Sequence, residues 1–331
     1  MKIIAEIGVN HNSSIKIAKK LILECSKTGI DFVKFQMFDS SETVTNWSKK
    51  ADYQSKNLGD NISQQKMLKK YQLNFKNLKT LRDYSKKKNI NFLVSVFDIK
   101  SFKKFLKLNL KILKIPSGEI INYPLLKMIS KHNLTVILST GMASENEIRN
   151  AVKILTSGKI KKNKITILHC NTDYPTRFNE VNLRYIERLK KKFNTTTGYS
   201  DHTKGILVPL VCASREVDFL EKHITLNNKL EGPDHKASLE IKNITSMMRK
   251  IRDIKSILGL REKIINRSEI NNAKYVRKSL IAKKNIKKGE KFSIDNIGLK
   301  RPGYGISGKY YFKILKKISK YNFKKDELIK I

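Results

Sequence analysis

The stretch LTVILSTGMASENEIRNAVKIL, residues 134–155, decides the fold. Leu134 to Ser139 is a run of β-forming apolar residues closed by two hydroxyls, Ser139 and Thr140. From Glu145 to Leu155 the period changes, and Ile148, Ala151, Val152 and Leu155 fall on one helical face. Strand, short turn and amphipathic helix make one βα unit, and the unit recurs in both directions along the chain. Its strand-like runs are Ile3–Ile7, Phe32–Gln36, Asn91–Phe97, Leu110–Ile115, Leu134–Ser139, Ile165–His169, Thr195–Tyr199 and Val217–Glu221. Helical stretches follow them, as at Ile15–Lys27, where Ile15, Ala18, Leu21, Ile22 and Cys25 share a face. Eight such units in about 260 residues predict an α/β fold, a parallel (β/α)8 TIM barrel. A doubly wound sheet is the alternative, but no GxGxxG follows the first strand.

Between the second and third runs the connection lengthens, and polar Asp39–Asn61 reads as a functional loop or lid over the barrel mouth. After Leu260 the pattern changes again. The expected boundaries are a barrel over 1–262, a polar linker over 263–274 and a small, mostly-β module over 275–331. That module has short runs at Ser279–Ala282, Ile297–Lys300 and Lys317–Ile318, punctuated by Lys288-Gly289, Arg301-Pro302-Gly303 and Gly305. About 55 residues lies near the lower limit for independent folding, so the module is expected to pack on another surface, such as a second subunit.

The chain has 331 residues, with 69 Lys and Arg against 29 Asp and Glu, a formal charge of +40 that invites a nucleic-acid or polyanion-binding reading. Its distribution argues otherwise. Basic residues come in pairs and triplets, as at Lys86–Lys88 and Lys190–Lys192, and no tract reaches the five or six like charges of a basic arm. The excess is mostly Lys, which a genome-wide compositional bias explains, and a basic surface also attracts anionic small substrates. No apolar run approaches the roughly 18 residues of a membrane span, the best being Ile206–Ala213, and the start lacks the pattern of a secretory signal. The expectation is a cytoplasmic protein with neither nucleic acid nor membrane as partner. Cys25, Cys170 and Cys212 are too widely spaced for a disulfide framework or a CxxC pair and read as buried thiols.

In a barrel of this kind, chemistry belongs at the C-terminal ends of the strands. Polar residues that an apolar strand does not need cluster there: Glu6, Asn10 and His11; Lys34 and Gln36; Ser95 and Asp98; Lys114, Ser117 and Glu119; Ser139 and Thr140; His169, Thr172 and Tyr174; Ser200, Asp201 and His202; Glu221, Lys222 and His223. His202 and His223 end consecutive strands and can hold a divalent metal with positions left open, or be two rim histidines without one. Lys34 and Lys114 suit a phosphate or carboxylate, and one of them can alternatively be the Schiff-base lysine of an aldolase. Glu119, after Pro116-Ser117-Gly118, is an acid/base or water-positioning candidate, or a salt-bridging carboxylate.

Several runs resemble one family in order across almost the whole chain. They are AEIGVNHN at 5–12, VKFQ at 33–36, KIPSGE at 114–119, LSTGM at 138–142, GYSDHT at 198–203, EKH at 221–223 and GPDHKASL at 232–239. The chain resembles the sialic acid synthases, the nonulosonic acid synthases that condense phosphoenolpyruvate with an N-acyl amino sugar. Its tail, with KKGE at 287–290 and KRPG at 300–303, resembles the antifreeze-like (SAF) domain that follows the barrel in that family.

The resemblance implies Mn²⁺ or Mg²⁺ held by His202 and His223. Phosphoenolpyruvate would lie on Lys34, Ser95, Lys114, Ser117, Ser139 and Ser200, with Glu119, Glu6 and Lys114 as catalytic groups. Gln36, Thr172, Tyr174 and Asp234 would line the sugar pocket. Arg301 would reach the sugar's acyl group in the other subunit, which implies a domain-swapped homodimer. The sequence departs from the family pattern at Val94-Ser95-Val96-Phe97, where Ser95 replaces a threonine, and at Thr172, where the sialate branch has Asn. His169 to Pro175, Ala51-Asp52-Tyr53-Gln54 and Gly232 to Lys236 look more like the N,N'-diacetyllegionaminate branch, whose acceptor is a 2,4-diacetamido-2,4,6-trideoxymannose. N-acetylmannosamine and the pseudaminate acceptor are the alternatives.

Overall fold

Eight parallel strands, buried on both faces, build the larger part of the computed structural model, which describes residues 1–60 and 62–331. The chain divides into two units, Met1–Gly259 and Leu260–Ile331. The first runs β1 (Lys2–Gly8), α1 (Ile15–Ser26), β2 (Phe32–Met37), α2 (Ser40–Thr43), α3 (Asp52–Leu58), α4 (Gln64–Tyr71), α5 (Phe75–Lys87), β3 (Asn91–Val96), α6 (Ile99–Leu106), β4 (Ile112–Ile115), α7 (Tyr123–Ser130) and β5 (Thr135–Ser139). It continues through α8 (Glu145–Thr156), β6 (Ile165–Cys170), α9 (Tyr185–Phe193), β7 (Thr196–Asp201), α10 (Leu207–Ser214), β8 (Phe219–Thr225), β9 (Leu239–Glu240) and α11 (Ile241–Leu258). Each of β1 to β8 pairs in parallel with the next, and β8 returns to β1 with Glu6 opposite His223. The sheet is therefore closed, as the alternating units predict.

The two faces of the strands have different work. Ile3, Ala5 and Ile7 of β1, with their counterparts on the other strands, pack outward in the main core with the helices. Inside, Ile4, Phe32, Leu93, Ile137 and Leu168, with Ile112 and Phe219 against them, form a separate apolar layer. At the same level β7 offers Gly198, in register with Leu168 and Phe219. A Cβ there would meet the Phe219 carbonyl oxygen at 2.2 Å and Leu168 Cδ2 at 2.8 Å, so the missing side chain is what lets those two residues close the floor. Two residues further along each strand, on the same face, come Glu6, Lys34, Ser95, Lys114, Ser139, Cys170, Ser200 and Glu221.

Three expectations need correction. Strands β7 and β8 run on to Asp201 and Thr225, so Ser200 and His223 lie in strands rather than beyond them. The segment from Asp39 is not loop-like: Asp39 caps α2 by accepting from the Ser41 amide, and α3 ends at Gly59 in the left-handed conformation (φ +64°). Asn61, at the end of that segment, lies outside the described residues. The stretch expected as a linker, 263–274, is largely helical, because the Asn266 amide donates to Glu269 and starts α12 (Arg267–Val276), which belongs to the second unit.

In that unit β10 (Ser279–Ala282) pairs antiparallel with β11 (Ile297–Lys300), and α13 (Tyr311–Ile314) follows. Leu280, Ala282, Ile286, Phe292, Ile297, Ile314, Phe323 and Ile329 form its own core. No described helix is long and apolar enough to cross a membrane.

Gly198→Ala is expected to lower the stability of the chain by about 1–3 kcal/mol, the usual cost of overpacking, with urea unfolding as the measurement.

Candidate active site

The polar layer above the apolar floor holds four buried ionisable side chains, Glu6, Lys34, Lys114 and Glu221. Lys34 Nζ lies 2.8 Å from Glu6 Oε2 and 3.5 Å from Glu221 Oε2. From the opposite side of the barrel, Lys114 Nζ comes within 3.8 Å of Glu221 Oε1. Ser200 donates to Glu221 at 2.9 Å, Lys34 donates to Ser95 at 3.2 Å, and Gln36 donates to Glu6 at 3.1 Å. Burial works against every one of these charges, and the partners decide each outcome. For Lys34, Glu221 and Glu6 outweigh burial and raise the pKa, so it stays an ammonium. Burial would raise Glu221, but Lys114 and Lys34 hold it at about 2. Burial wins at Glu6, which is raised despite Lys34, and at Lys114, which is lowered despite Glu221. Lys114 is thus the cation with most to gain from an incoming anion.

These groups floor one cavity of about 310 Å³. Of the residues expected at the site, Glu6, Lys34, Gln36, Ser95, Lys114, Ser117, Ser139, Thr172, Tyr174, Ser200, His202, His223 and Asp234 all line it. Ser117 Oγ accepts from the Gly141 amide at 3.0 Å and lies 3.2 Å from Cys170 Sγ. Ser139 Oγ is buried with no hydrogen-bond partner, which leaves it available to a ligand. Glu119 is not on the wall. Its 3₁₀ turn presents Ser117 and Gly118, while its own carboxylate accepts from Asn122 at 2.7 Å, and burial raises its pKa. Arg301 lies in the second unit, exposed, with Nε donating to the Val276 carbonyl at 3.0 Å.

At the wall, His202 and His223 stand with ring centroids 5.4 Å apart and planes at 74°. His202 Nδ1 meets the Asn171 carbonyl at 2.5 Å, which assigns that nitrogen as the donor and leaves Nε2 as an acceptor facing Tyr174 Oη at 3.1 Å and Ser200 Oγ at 3.3 Å. Burial lowers the His202 pKa to about 4, and burial with His202 and Lys34 nearby puts His223 well below its ordinary value. Both imidazoles are therefore neutral at pH 7. His223 Nδ1 is buried without a hydrogen-bond partner, 3.8 Å from Asp234 Oδ2. Among the described residues no group of three or more His, Cys, Asp or Glu is arranged to hold a metal. Two neutral imidazoles with available nitrogens still fit a divalent ion whose other ligands are water and substrate oxygens.

The roof comes from the insert between β2 and β3. Tyr53 of α3 stacks on Tyr174 with centroids 5.0 Å apart, and Tyr174 stacks on His202 at 4.0 Å. Asn57 donates to the Pro233 carbonyl at 2.6 Å, which ties the same helix to the loop carrying Asp234.

Residues 21–263 match the NeuB family and residues 277–331 match the SAF domain. The chain belongs to the NeuB family. The N,N'-diacetyllegionaminic acid synthase of Campylobacter jejuni subsp. jejuni serotype O:2 is 47% identical to it, over 99% of this chain and 98% of that protein. The enzyme of the same name from Legionella pneumophila is 36% identical over 92% of this chain and 86% of its own length. The crystal structure of N-acetylneuraminic acid synthetase from Leptospira borgpetersenii superposes with a TM-score of 0.70 at 32% identity, covering 82% of this chain and 89% of that one.

On this NeuB-family barrel, the strand-end pattern overreached at some positions and fell short at others. Asn10 ties β1 to the Ile224 carbonyl and Ser238 at 2.7 and 2.8 Å, Asp98 caps α6, and His169 bonds the Val181 carbonyl at 3.0 Å. Glu221 gained no role from the sequence, although Glu221-Lys222-His223 was the signal that could have flagged it. Tyr53, Met67 and Tyr71 also line the cavity; the sequence reading gave them no role there, although Met67 and Tyr71 stand four apart on the buried face of α4.

Asp201 and Lys222 face the other way. Lys222 Nζ lies 2.7 Å from Asp201 Oδ2 and also bonds the Thr203 carbonyl, while Asp201 Oδ1 accepts from the Thr203 amide at 2.9 Å. One buried ion pair thus brackets His202 and immediately precedes His223. Lys222→Met is expected to cost about 3–5 kcal/mol in urea unfolding, because it strands the Asp201 charge. Adding Asp201→Asn to it is expected to recover part of that loss.

Proposed function

We propose that this chain is a nonulosonic acid synthase that condenses phosphoenolpyruvate with an N-acyl amino sugar, the acceptor being 2,4-diacetamido-2,4,6-trideoxymannose. The observation that carries the reading is the buried pair Lys34 and Lys114 on the floor of a cavity whose wall holds two neutral histidines. Two cations suit the carboxylate and phosphate of phosphoenolpyruvate. Ser95, Ser117, Ser139 and Ser200 supply hydroxyls beside them, and the unpartnered Ser139 Oγ is one that a phosphate oxygen would satisfy.

His202 and His223 would hold a Mn²⁺ or Mg²⁺ ion. When bound, it supplies Lewis-acid polarisation to the acceptor aldehyde. The chain's own part is positioning and proton movement. Lys34 and Lys114 fix phosphoenolpyruvate so that its C3 forms a bond to the aldehyde carbon of the sugar lodged against Gln36, Thr172, Tyr174 and Asp234. The positive charge that develops at C2 lies over the carboxylate-rich floor, where Glu221 remains ionised. Water adds at C2 and gives a proton to Glu119, one residue beyond the Ser117-Gly118 wall. The aldehyde oxygen, now an alkoxide, is assigned Glu6 as the group that carries a proton to it; burial raises the Glu6 pKa against the pull of Lys34. Breaking the bond between C2 and the bridging oxygen releases phosphate, and the C2 hydroxyl passes its proton to the departing phosphate and becomes the ketone of the keto acid.

The same reading extends to a homodimer in which Arg301 of each chain, exposed in its own unit, holds the acyl group in the other copy's cavity. It also places the enzyme in the cytoplasm, where phosphoenolpyruvate is made.

Phosphate release is expected only when phosphoenolpyruvate, the amino sugar and Mn²⁺ are all present, and EDTA is expected to abolish it. His202→Ala is expected to remove turnover, and Glu6→Gln to lower kcat by about 10²- to 10⁴-fold, the range for a lost general acid. Phosphate release that persists in EDTA would contradict the metal, and release without any sugar would contradict the condensation.

A further inference from the structure

The cavity has two chemically different ends. Its floor is the charged strand layer, but the other end is built by the insert between β2 and β3, where Val44, Met67, Leu68 and Tyr71 line it. Met67 and Tyr71 are buried together with Val9, with Leu58, Ile62 and Leu68 packed against them, in an apolar cluster separate from the barrel cores. This wall is braced: Gln65 donates to the Val44 carbonyl at 3.1 Å, and the Ser40 amide donates to Gln72 at 3.0 Å. Neither substrate anion has use for such a surface. A hydroxyl pressed against it loses its hydrogen bonds to water and gains none, whereas a methyl group gains by leaving water.

We infer that the wall formed by Val44, Met67, Leu68 and Tyr71 is the subsite for the methyl-bearing groups of the acceptor, and that it selects a deoxygenated, multiply N-acylated amino sugar over a more hydroxylated one. This rests on the condensation reading above and adds the element that chooses among acceptors. An acylamino group carries an amide as well as a methyl, and Thr43 and Gln64 line the cavity from the same insert. The wall acts on the sugar alone, because the groups that suit phosphoenolpyruvate all lie on the strands and strand-end turns.

The test uses the full chain, with Val44→Thr, which keeps the shape and adds a hydroxyl, and Leu68→Asn. Both positions are half-buried, so the core is spared, and Val44→Thr decides the matter alone if Leu68→Asn does not fold. Phosphate release is measured with 2,4-diacetamido-2,4,6-trideoxymannose and with N-acetylmannosamine. The wild type is expected to prefer the first sugar. The variants are expected to lose about 10- to 100-fold in kcat/KM on it, mostly through KM, and only about threefold or less on the second, the scale of a hydrophobic-pocket contact. The KM for phosphoenolpyruvate is expected to stay unchanged. Equal losses on both sugars, no loss on either, or a wild type that prefers N-acetylmannosamine would overturn the inference while leaving the condensation intact. A wild type that releases phosphate with neither sugar would overturn the condensation reading and the inference with it.

Discussion

Lys34 is 3% exposed and sits 2.8 Å from Glu6, with Glu221 at 3.5 Å. Taking such charges out of water costs several kcal/mol per ion, and the attraction between them repays it only in good geometry with the remaining donors satisfied. Here the geometry comes from the closed sheet. Glu6 is in register with Lys34 on one side and with His223 on the other, and Ser200 is in register with Glu221. A slip of one residue in any of these strands would turn its charge outward into the apolar helix layer. Barrel closure and the charged floor therefore depend on each other.

An apolar isostere of this cluster would serve stability as well or better, so its presence points to function. The balance is poised rather than tight. Lys34 is fully paired, while Lys114 reaches its carboxylate only at 3.8 Å and otherwise meets the Ile115 carbonyl at 3.4 Å. An arriving anion completes the coordination of Lys114 instead of competing for it. The outward pair Asp201 and Lys222 does the opposite job on the same two strands: its bonds close on the protein, and it sets the turn from which His202 reaches the cavity.

Much of this was legible in the sequence because parallel strands buried on both faces read as continuous apolar runs. The floor could be read as well, since Ile4 and Glu6, or Phe32 and Lys34, are two apart and must share a face. Strand ends were harder. Ser200, Asp201, Lys222 and His223 break the apolar pattern, yet each has a place in the strand because its needs are met across the sheet or by the cavity. The insert was hardest, because α3 buries no residue and carries no apolar face to find. Its contribution, Tyr53 on Tyr174, is a contact between segments far apart in sequence. Glu119 was singled out by its motif, and the turn aims Ser117 and Gly118 at the cavity while the Glu119 carboxylate, one residue beyond that wall, accepts from Asn122.

Phosphoenolpyruvate held on this charged floor would attack the acceptor through its C3 and take up water at C2. The most direct measurement uses phosphoenolpyruvate carrying ¹⁸O in the bridge between C2 and phosphorus, with the trideoxy acceptor and Mn²⁺, and mass spectrometry of both products. The label is expected to leave with the phosphate, because the C–O bond breaks. Label retained in the keto acid would mean P–O cleavage and would contradict it.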